Sequence, residues 1–368
     1  MKKMLFVLLP VLILTVSCGN KGKFSLNGTL QDTVFNGKTI YLTDYIDREY
    51  IPFDSAVVKD GKFSISTVCD SSRVVFLTVA LLPGADPIVL PVVMEKGKAQ
   101  VEIGNTSFVL NGTPQNIILQ QFAETETQIA KQLDDYKMQL DADTTMADST
   151  RTILYNQMDE LTTQQYADMA FDKAKQNVNT AVGTYIFQNS YYYFKPQKID
   201  EILTLTDEQI KKTPKMQKII ASNELEKTLQ PGSKYVDFKS LMPAGDTLLL
   251  SNLIGQKEYL LLDFWASWCS YCVAEFPEMK QMYAQNIGRL EILGISLDSE
   301  RQKWIEGGIQ KFALPWQQVS NLQGWEDEIA KKYAVASIPA YYLIDREGKI
   351  VATKATLKEI KSILAGKK

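Results

Sequence analysis

The sequence predicts a multidomain protein: an N-terminal all-β, sandwich-like domain, a central helical region and a C-terminal α/β domain. Three observations carry this expectation. Residues 23–110 alternate apolar and polar side chains with period two between closely spaced turns. Residues 111–230 become polar and keep helical spacing. Residues 231–368 set apolar runs of strand length between helical stretches, the pattern of an α/β layer. A chain of 368 residues is long enough for two or three domains.

In the first zone, Phe24-Ser25-Leu26-Asn27-Gly28-Thr29-Leu30 and Thr39-Ile40-Tyr41-Leu42-Thr43 read as half-buried strands. Lys59-Asp60-Gly61-Lys62 is a hairpin turn signal ahead of Phe63-Ser64-Ile65-Ser66. Glu95-Lys96-Gly97-Lys98 is another, ahead of Ala99-Gln100-Val101-Glu102-Ile103. Asn111-Gly112-Thr113-Pro114 then punctuates the change to helix. Ile118, Phe122, Thr125 and Ile129 share a helix face, and residues 141–145 form an acidic loop between two long helices. Asn179, Pro196, Asp207 and Pro214 mark shorter helices. The run Tyr191-Tyr192-Tyr193-Phe194 either closes a helical core or docks a client. Gln230-Pro231-Gly232-Ser233 is a linker. Beyond it, strands are expected at 259–264, 290–297, 340–344 and 349–353, with helices from Cys269, over 299–312, 324–333 and 357–364.

Composition excludes several classes of function. The net charge of -3, with mixed signs, gives no basic stripe for nucleic acid. Histidine is absent, so no Ser-His-Asp or Cys-His arrangement and no imidazole-based zinc site can form. No cofactor or metal is implied. Residues 1–17 read as a targeting segment: Lys2 and Lys3 precede an apolar run at 4–14 that is short for a bilayer span. The run stops at Thr15-Val16-Ser17-Cys18-Gly19, which resembles a bacterial lipobox with Thr15 in the place usually held by Leu. The resemblance implies cleavage before Cys18 and its acylation, and hence a membrane anchor. The alternative is an ordinary signal peptide with Cys18 incidental.

Of the four cysteines, Cys69 ends a strand-like run and reads as a small packed residue. Cys269 and Cys272 form a Cys-x-x-Cys pair. Such a pair is also half of a zinc site, but the second half is missing. The pair follows a buried strand and opens a helix, where free N–H groups and the helix dipole favour a thiolate. Cys269 is then the exposed nucleophile. Cys272, one turn inward, is the resolving thiol that breaks a mixed disulfide. Strand-helix-strand followed by a hairpin and a helix is a thioredoxin topology.

The segment Asp263-Phe264-Trp265-Ala266-Ser267-Trp268-Cys269-Ser270-Tyr271-Cys272 resembles thioredoxin, and most of all its exported TlpA/ResA-type branch. The likeness extends over residues 232–368 and includes Gly245-Asp246-Thr247-Leu248-Leu249-Leu250, Gly255-Gln256-Lys257, Glu275-Phe276-Pro277 and Ser337-Ile338-Pro339-Ala340. It implies a thiol–disulfide oxidoreductase. Pro339 matches the family's cis-proline beside the cysteines, which leaves the Ile338 backbone to pair with an extended client. Asp263 matches the buried carboxylate that trades a proton with the resolving cysteine. Glu275 matches an acidic residue near the pair; its alternative is a solvated helix charge. Trp265 and Trp268 flank and shield the site. Ser270-Tyr271 replaces the histidine-bearing dipeptides of strong oxidants, which leans the expected reaction toward reduction. Phe24 to Leu110, with Asp54-Ser55-Ala56-Val57-Val58-Lys59-Asp60-Gly61-Lys62-Phe63, resembles the uncharacterised β-domain that precedes thioredoxin modules in Bacteroidetes lipoproteins.

Together these features predict a periplasmic enzyme anchored by Cys18 to a bacterial membrane, the outer one by expectation. Its partners are thiols or disulfides of exported proteins and an unidentified electron donor. Two other readings stand beside it. A thiol peroxidase would carry Thr three residues before a lone nucleophilic cysteine, and that place is Ala266. A binding lipoprotein with a merely structural thioredoxin module would be expected to have lost some of Cys269, Cys272, Asp263 and Pro339. Mass spectrometry of the mature chain is expected to find an acylated Cys18 as its first residue; an unmodified Cys18 would contradict the anchor.

Overall fold

The computed structural model describes residues 22–46, 49–79, 88–104 and 107–366. The leader and Cys18 lie outside the described residues. The chain divides into two compact units, one running to Ile186 and the other from Phe187 onward, so the helical residues 111–230 are shared between them.

Among the described residues the first unit holds eight strands: β1 (Gly22–Leu30), β2 (Thr39–Ile46), β3 (Glu49–Val57), β4 (Lys62–Cys69), β5 (Arg73–Val79), β6 (Ile88–Met94), β7 (Gly97–Ile103) and β8 (Phe108–Asn111). They form two four-stranded sheets, ordered β4-β1-β7-β8 and β3-β2-β5-β6. All pairings are antiparallel except β1 with β7. The period-two pattern puts Phe24, Leu26 and Leu30 inside on β1, and Ile40 and Leu42 inside on β2. Gly28 pairs with Phe63 across β1 and β4, and a Cβ there would lie 1.8 Å from the Phe63 ring. The glycine is the space that the phenylalanine fills. Asp60 and Gly61 both take positive φ, 50° and 67°, as the tight turn before β4 requires.

Helix α1 (Pro114–Ala142) starts with proline in its first turn, and α2 (Asp148–Gln176) follows after a short loop. Two buried amides fasten α1 to the sheets. Asn116 accepts from the Val93 N–H and donates to its carbonyl, both at 2.8 Å, and Gln120 accepts from the Leu110 N–H at 2.8 Å. Strand edges that would otherwise be buried without partners are satisfied in this way.

The second unit opens with the end of α3 (Ala181–Ser190), then α4 (Pro196–Leu205), α5 (Glu208–Lys211) and α6 (Pro214–Thr228). Phe194 of the aromatic run is buried and stacks on Phe187, whereas Tyr193 is exposed. Two short strands, β9 (Lys239–Leu241) and β10 (Thr247–Leu249), pair with each other. The main sheet is built from β11 (Tyr259–Trp265), β12 (Leu290–Ser296), β13 (Gln317–Val319), β14 (Ala340–Asp345) and β15 (Ile350–Thr353), in the order β13-β12-β11-β14-β15. β11, β12 and β13 run parallel; β14 is antiparallel to β11, and β15, antiparallel to β14, returns to the direction of the first three. α7 (Ser270–Gln285) joins β11 to β12, and α10 (Leu357–Leu364) closes the chain behind a Thr356–Glu359 capping box.

The helix expected over 299–312 is not regular. One turn of α-helix, α8 (Arg301–Trp304), passes into a π-helical stretch at Ile305–Gln310. Within it, a Cβ on Gly308 would come within 2.6 Å of the Trp265 indole. The widened turn and the glycine let this segment close over that ring. The stretch 324–333 is also interrupted: a single 3-10 turn precedes α9 (Glu328–Lys332), which Asp327 caps at the Ile329 N–H. No helix among the described residues is long and apolar enough to cross a membrane.

Candidate active site

The central strand β11 is buried along its length apart from its first residue. Three residues after it ends, Cys269 caps α7. Its sulfur accepts from the Cys272 N–H at 3.1 Å, so the first-turn donor that every helix leaves unpaired is aimed at sulfur. Cys269 and Cys272 are joined as a disulfide, with Cα atoms 5.3 Å apart. The two residues differ slightly in access: Cys269 is 6% exposed and Cys272 1%. The Ile338–Pro339 bond is cis, and the half-buried Ile338 brings its carbonyl oxygen to 3.7 Å from Cys269 Sγ.

Around this outer sulfur lie exposed rings. Trp268 and Tyr271 are 54% and 58% exposed, and Trp325 has its ring centroid 6.1 Å from that of Trp268. Trp265 is placed differently. It is fully buried, donates from Nε1 to Gln318 Oε1 at 2.9 Å and meets Phe276 edge-on. It belongs to the core beneath the site, and of the two tryptophans only Trp268 stands at the surface. The expectation that Trp265 also flanks the site is corrected: it is the last residue of a strand buried on both faces.

The loop between strand and helix is clamped by Asp298, which sequence reasoning missed. Its buried carboxylate accepts from the Ser267 N–H at 3.0 Å, the Ser267 hydroxyl at 2.7 Å and the Ser296 hydroxyl at 2.7 Å. Hydrogen bonds to a carboxylate contribute about 1.5–3 kcal/mol each. The available signal was its position: Asp298 stands two residues after the largely apolar, buried strand β12, where a charge needs a partner.

Asp263 lies in the middle of β11, fully buried, and neither carboxyl oxygen has a hydrogen-bond partner among the described residues. Burial, reinforced by the Glu275 carboxylate, pushes its carboxyl well above the usual range. Glu275 stands three residues beyond Cys272 on α7 and accepts from the Tyr341 hydroxyl at 2.5 Å. It is therefore engaged inside the protein and is not a solvated helix charge. Burial and the neighbouring Asp263 and Glu275 charges hold the Tyr341 phenol well above its ordinary value. Pro277 sits inside α7. Cys69, in the other unit, is a buried free thiol near the Ser71 and Met94 carbonyls; burial raises its pKa.

A Cys-x-x-Cys disulfide that caps a helix beside a cis-proline, on a five-stranded sheet in which only β14 runs against the other four, defines a thioredoxin-fold thiol–disulfide oxidoreductase. Residues 231–353 match the AhpC/TSA family, and residues 21–119 match a domain of unknown function, DUF4369. The thiol-disulfide oxidoreductase ResA of Geobacillus thermodenitrificans is 30% identical over 142 residues, covering 34% of this chain and 79% of the relative. The thioredoxin-like protein YneN of Bacillus subtilis is 27% identical over 122 residues, covering 33% of this chain and 69% of the relative. A solved thiol-disulfide oxidoreductase from Bacteroides fragilis is 32% identical; the match covers 36% of this chain and 98% of that chain, with a TM-score of 0.34. The chain belongs to the thioredoxin-like thiol–disulfide oxidoreductases of the ResA type, with an additional N-terminal β-sheet domain.

Asp263 also gives the fold a pH dependence. A carboxyl whose pKa is raised by folding keeps its proton in the native state while the unfolded chain, near 3.8, has lost it. The native state then binds more protons, and stability falls as pH rises from about that value through the raised one. Asp263→Asn is expected to raise the denaturant midpoint at neutral pH, with the gain shrinking as pH falls toward 4. A gain that does not change with pH, or none at all, would contradict this account.

Proposed function

We propose that the protein is an extracytoplasmic reductase or exchanger of disulfides in exported proteins, acting through Cys269-Ser270-Tyr271-Cys272. The observation that carries this reading is the helix-capping disulfide whose outer sulfur adjoins the Ile338–Pro339 loop. In the reduced enzyme the Cys269 thiolate attacks a client disulfide. One client sulfur leaves as a thiolate and the other is held in a mixed disulfide. Cys272 passes its proton to the Asp263 carboxylate, attacks Cys269 Sγ and releases the second client thiolate. The enzyme is left oxidised, as in this structure, and the client has gained two electrons.

The surroundings suit a peptide-like client. Ile338 would offer its backbone to an extended segment beside the pair, as a strand edge does, and the exposed Trp268 would cover the segment's side chains. Cys18 would anchor the enzyme to a bacterial membrane, the outer one, facing the periplasm. The β-sheet domain would position the redox unit or select clients. An electron donor outside this chain would return the disulfide to the dithiol.

The direction of flow follows from what stands between the cysteines. Ser270-Tyr271 supplies no imidazolium, so the Cys269 thiolate receives its stabilisation from the helix N-terminus alone. Less stabilisation of the thiolate means a more reducing couple. Measured against glutathione, the potential is expected nearer thioredoxin's ~-270 mV than the ~-120 mV of a strong periplasmic oxidant. A value at the oxidising end would refute the reductase assignment. Cys272→Ala cannot resolve its mixed disulfides and is expected to retain exported proteins on non-reducing gels. If it retains none under conditions where the wild type turns over, the mechanism fails.

A further inference from the structure

Three strands of the main sheet place one row of residues in register: Gln318 on β13, Gly294 on β12 and Asp263 on β11. Partners in such a ladder project to the same side of the sheet. Gly294 has no side chain, and the Gln318 side chain lies over it: a Cβ there would fall 2.1 Å from Gln318 Oε1 and 2.6 Å from Nε2. The glycine opens the space through which the β13 amide reaches toward the middle strand. Trp265, two residues beyond Asp263 on the same face of β11, fixes which way that amide is turned. Its indole N–H can only donate, and it donates to Gln318 Oε1 at 2.9 Å. The NH2 end of Gln318 remains: the residue is buried, and Nε2 has no hydrogen-bond partner among the described residues. The next side chain in the row is Asp263, also buried, with both carboxyl oxygens likewise unpartnered. A buried donor and a buried acceptor, each costly to leave unpaired, stand on one face with only a glycine between them.

We propose that Gln318 is a positioning residue of the redox reaction: its Nε2–H serves the Asp263 carboxylate, directly or across one water, whenever Asp263 has given its proton to Cys272. The inference rests on the exchange reaction proposed above. When a donor thiolate attacks Cys269 Sγ, a donor–Cys269 disulfide forms and the Cys269–Cys272 bond breaks. Cys272 leaves with the electron pair of that bond and takes the Asp263 proton, and the negative charge passes to the Asp263 carboxyl. Because the Gln318 oxygen is turned to Trp265, the end presented to Asp263 is a donor, and a donor favours the carboxylate over the acid. Burial raises the Asp263 pKa, and the amide limits that rise so that the proton can be released. The other titratable groups facing Asp263 are Tyr341, its ladder partner on β14, and Glu275 on α7. Cys272 is held in the disulfide in the oxidised protein and does not titrate there. These groups are common to the wild type and a Gln318 variant, so a comparison of the two isolates the amide.

The test is Gln318→Met in the full, oxidised chain, which keeps the side chain's length and removes the amide. The Asp263 carboxyl is followed through its titration by infrared spectroscopy and assigned by its loss in Asp263→Asn. A hydrogen bond to a charged group is of a size to raise the Asp263 ionisation by about 1–2 pH units when it is lost. A Gln318 that only packed would lower stability on substitution and leave that midpoint where it is. The wild type supplies a second measurement that needs no variant of Gln318 to fold. Its Gln318 side-chain amide protons, followed by nuclear magnetic resonance, are expected to shift with the same midpoint as the Asp263 carboxyl. An Asp263 ionisation unmoved in Gln318→Met overturns the proposal, and so do wild-type amide protons that stay in place while Asp263 ionises. Insulin-disulfide reduction by the wild type, assayed alongside, reports separately on the exchange reaction.

Discussion

Cys269 is both the cap of α7 and the outer half of the disulfide, and the second unit is arranged around that double duty. A helix end leaves N–H groups without partners, and in most helices a serine, threonine or aspartate oxygen accepts one. Here a sulfur does so, and the donor belongs to the very residue to which that sulfur is bonded. In the reaction proposed above, the same donor would face the Cys269 thiolate once the disulfide opens. For this to work the helix must begin within a few residues of a rigid strand. β11 is that strand: it is central in its sheet and has neighbours on both sides. Asp298 fixes the three-residue connection at Ser267, so the position of Cys269 is set from below by β11 and from the side by β12.

The same strand carries the largest electrostatic cost in the unit. An apolar strand in the middle of a sheet is the least hospitable place for a carboxyl, and Asp263 sits there without a hydrogen bond among the described residues. In the reaction proposed above, this destabilising residue is the group that exchanges a proton with Cys272. Glu275 opposes its ionisation, and Tyr341 directs its own hydrogen bond to Glu275. Stability and reactivity thus pull against each other at one side chain.

The first unit solves a different problem. Its eight strands leave few polar groups to settle inside, and those at the helix junction are answered by two amides of α1. Cys69, its one cysteine among the described residues, is buried and lies in a separate unit from the redox pair.

The amino-acid sequence by itself determined the elements. Period-two alternation wrote β1, β2, β4 and β7; Pro114, Pro196 and Pro214 each opened a helix; and the apolar run ahead of Cys269 made the pair a helix-start pair. These features depend on neighbours a few residues apart, which a linear pattern records. What the tertiary structure alone decided involves residues far apart in the chain. The contact between Ile338 and Cys269 spans 69 residues, that between Tyr341 and Glu275 spans 66, and the Asp298 clamp on Ser267 spans 31. Each depends on which strands lie side by side and in what register, and no local periodicity encodes that. The same reason explains two of the local misjudgements: Trp265 faces inward, and the 299–312 helix widens to a π turn, because the ring and Gly308 meet in the folded core.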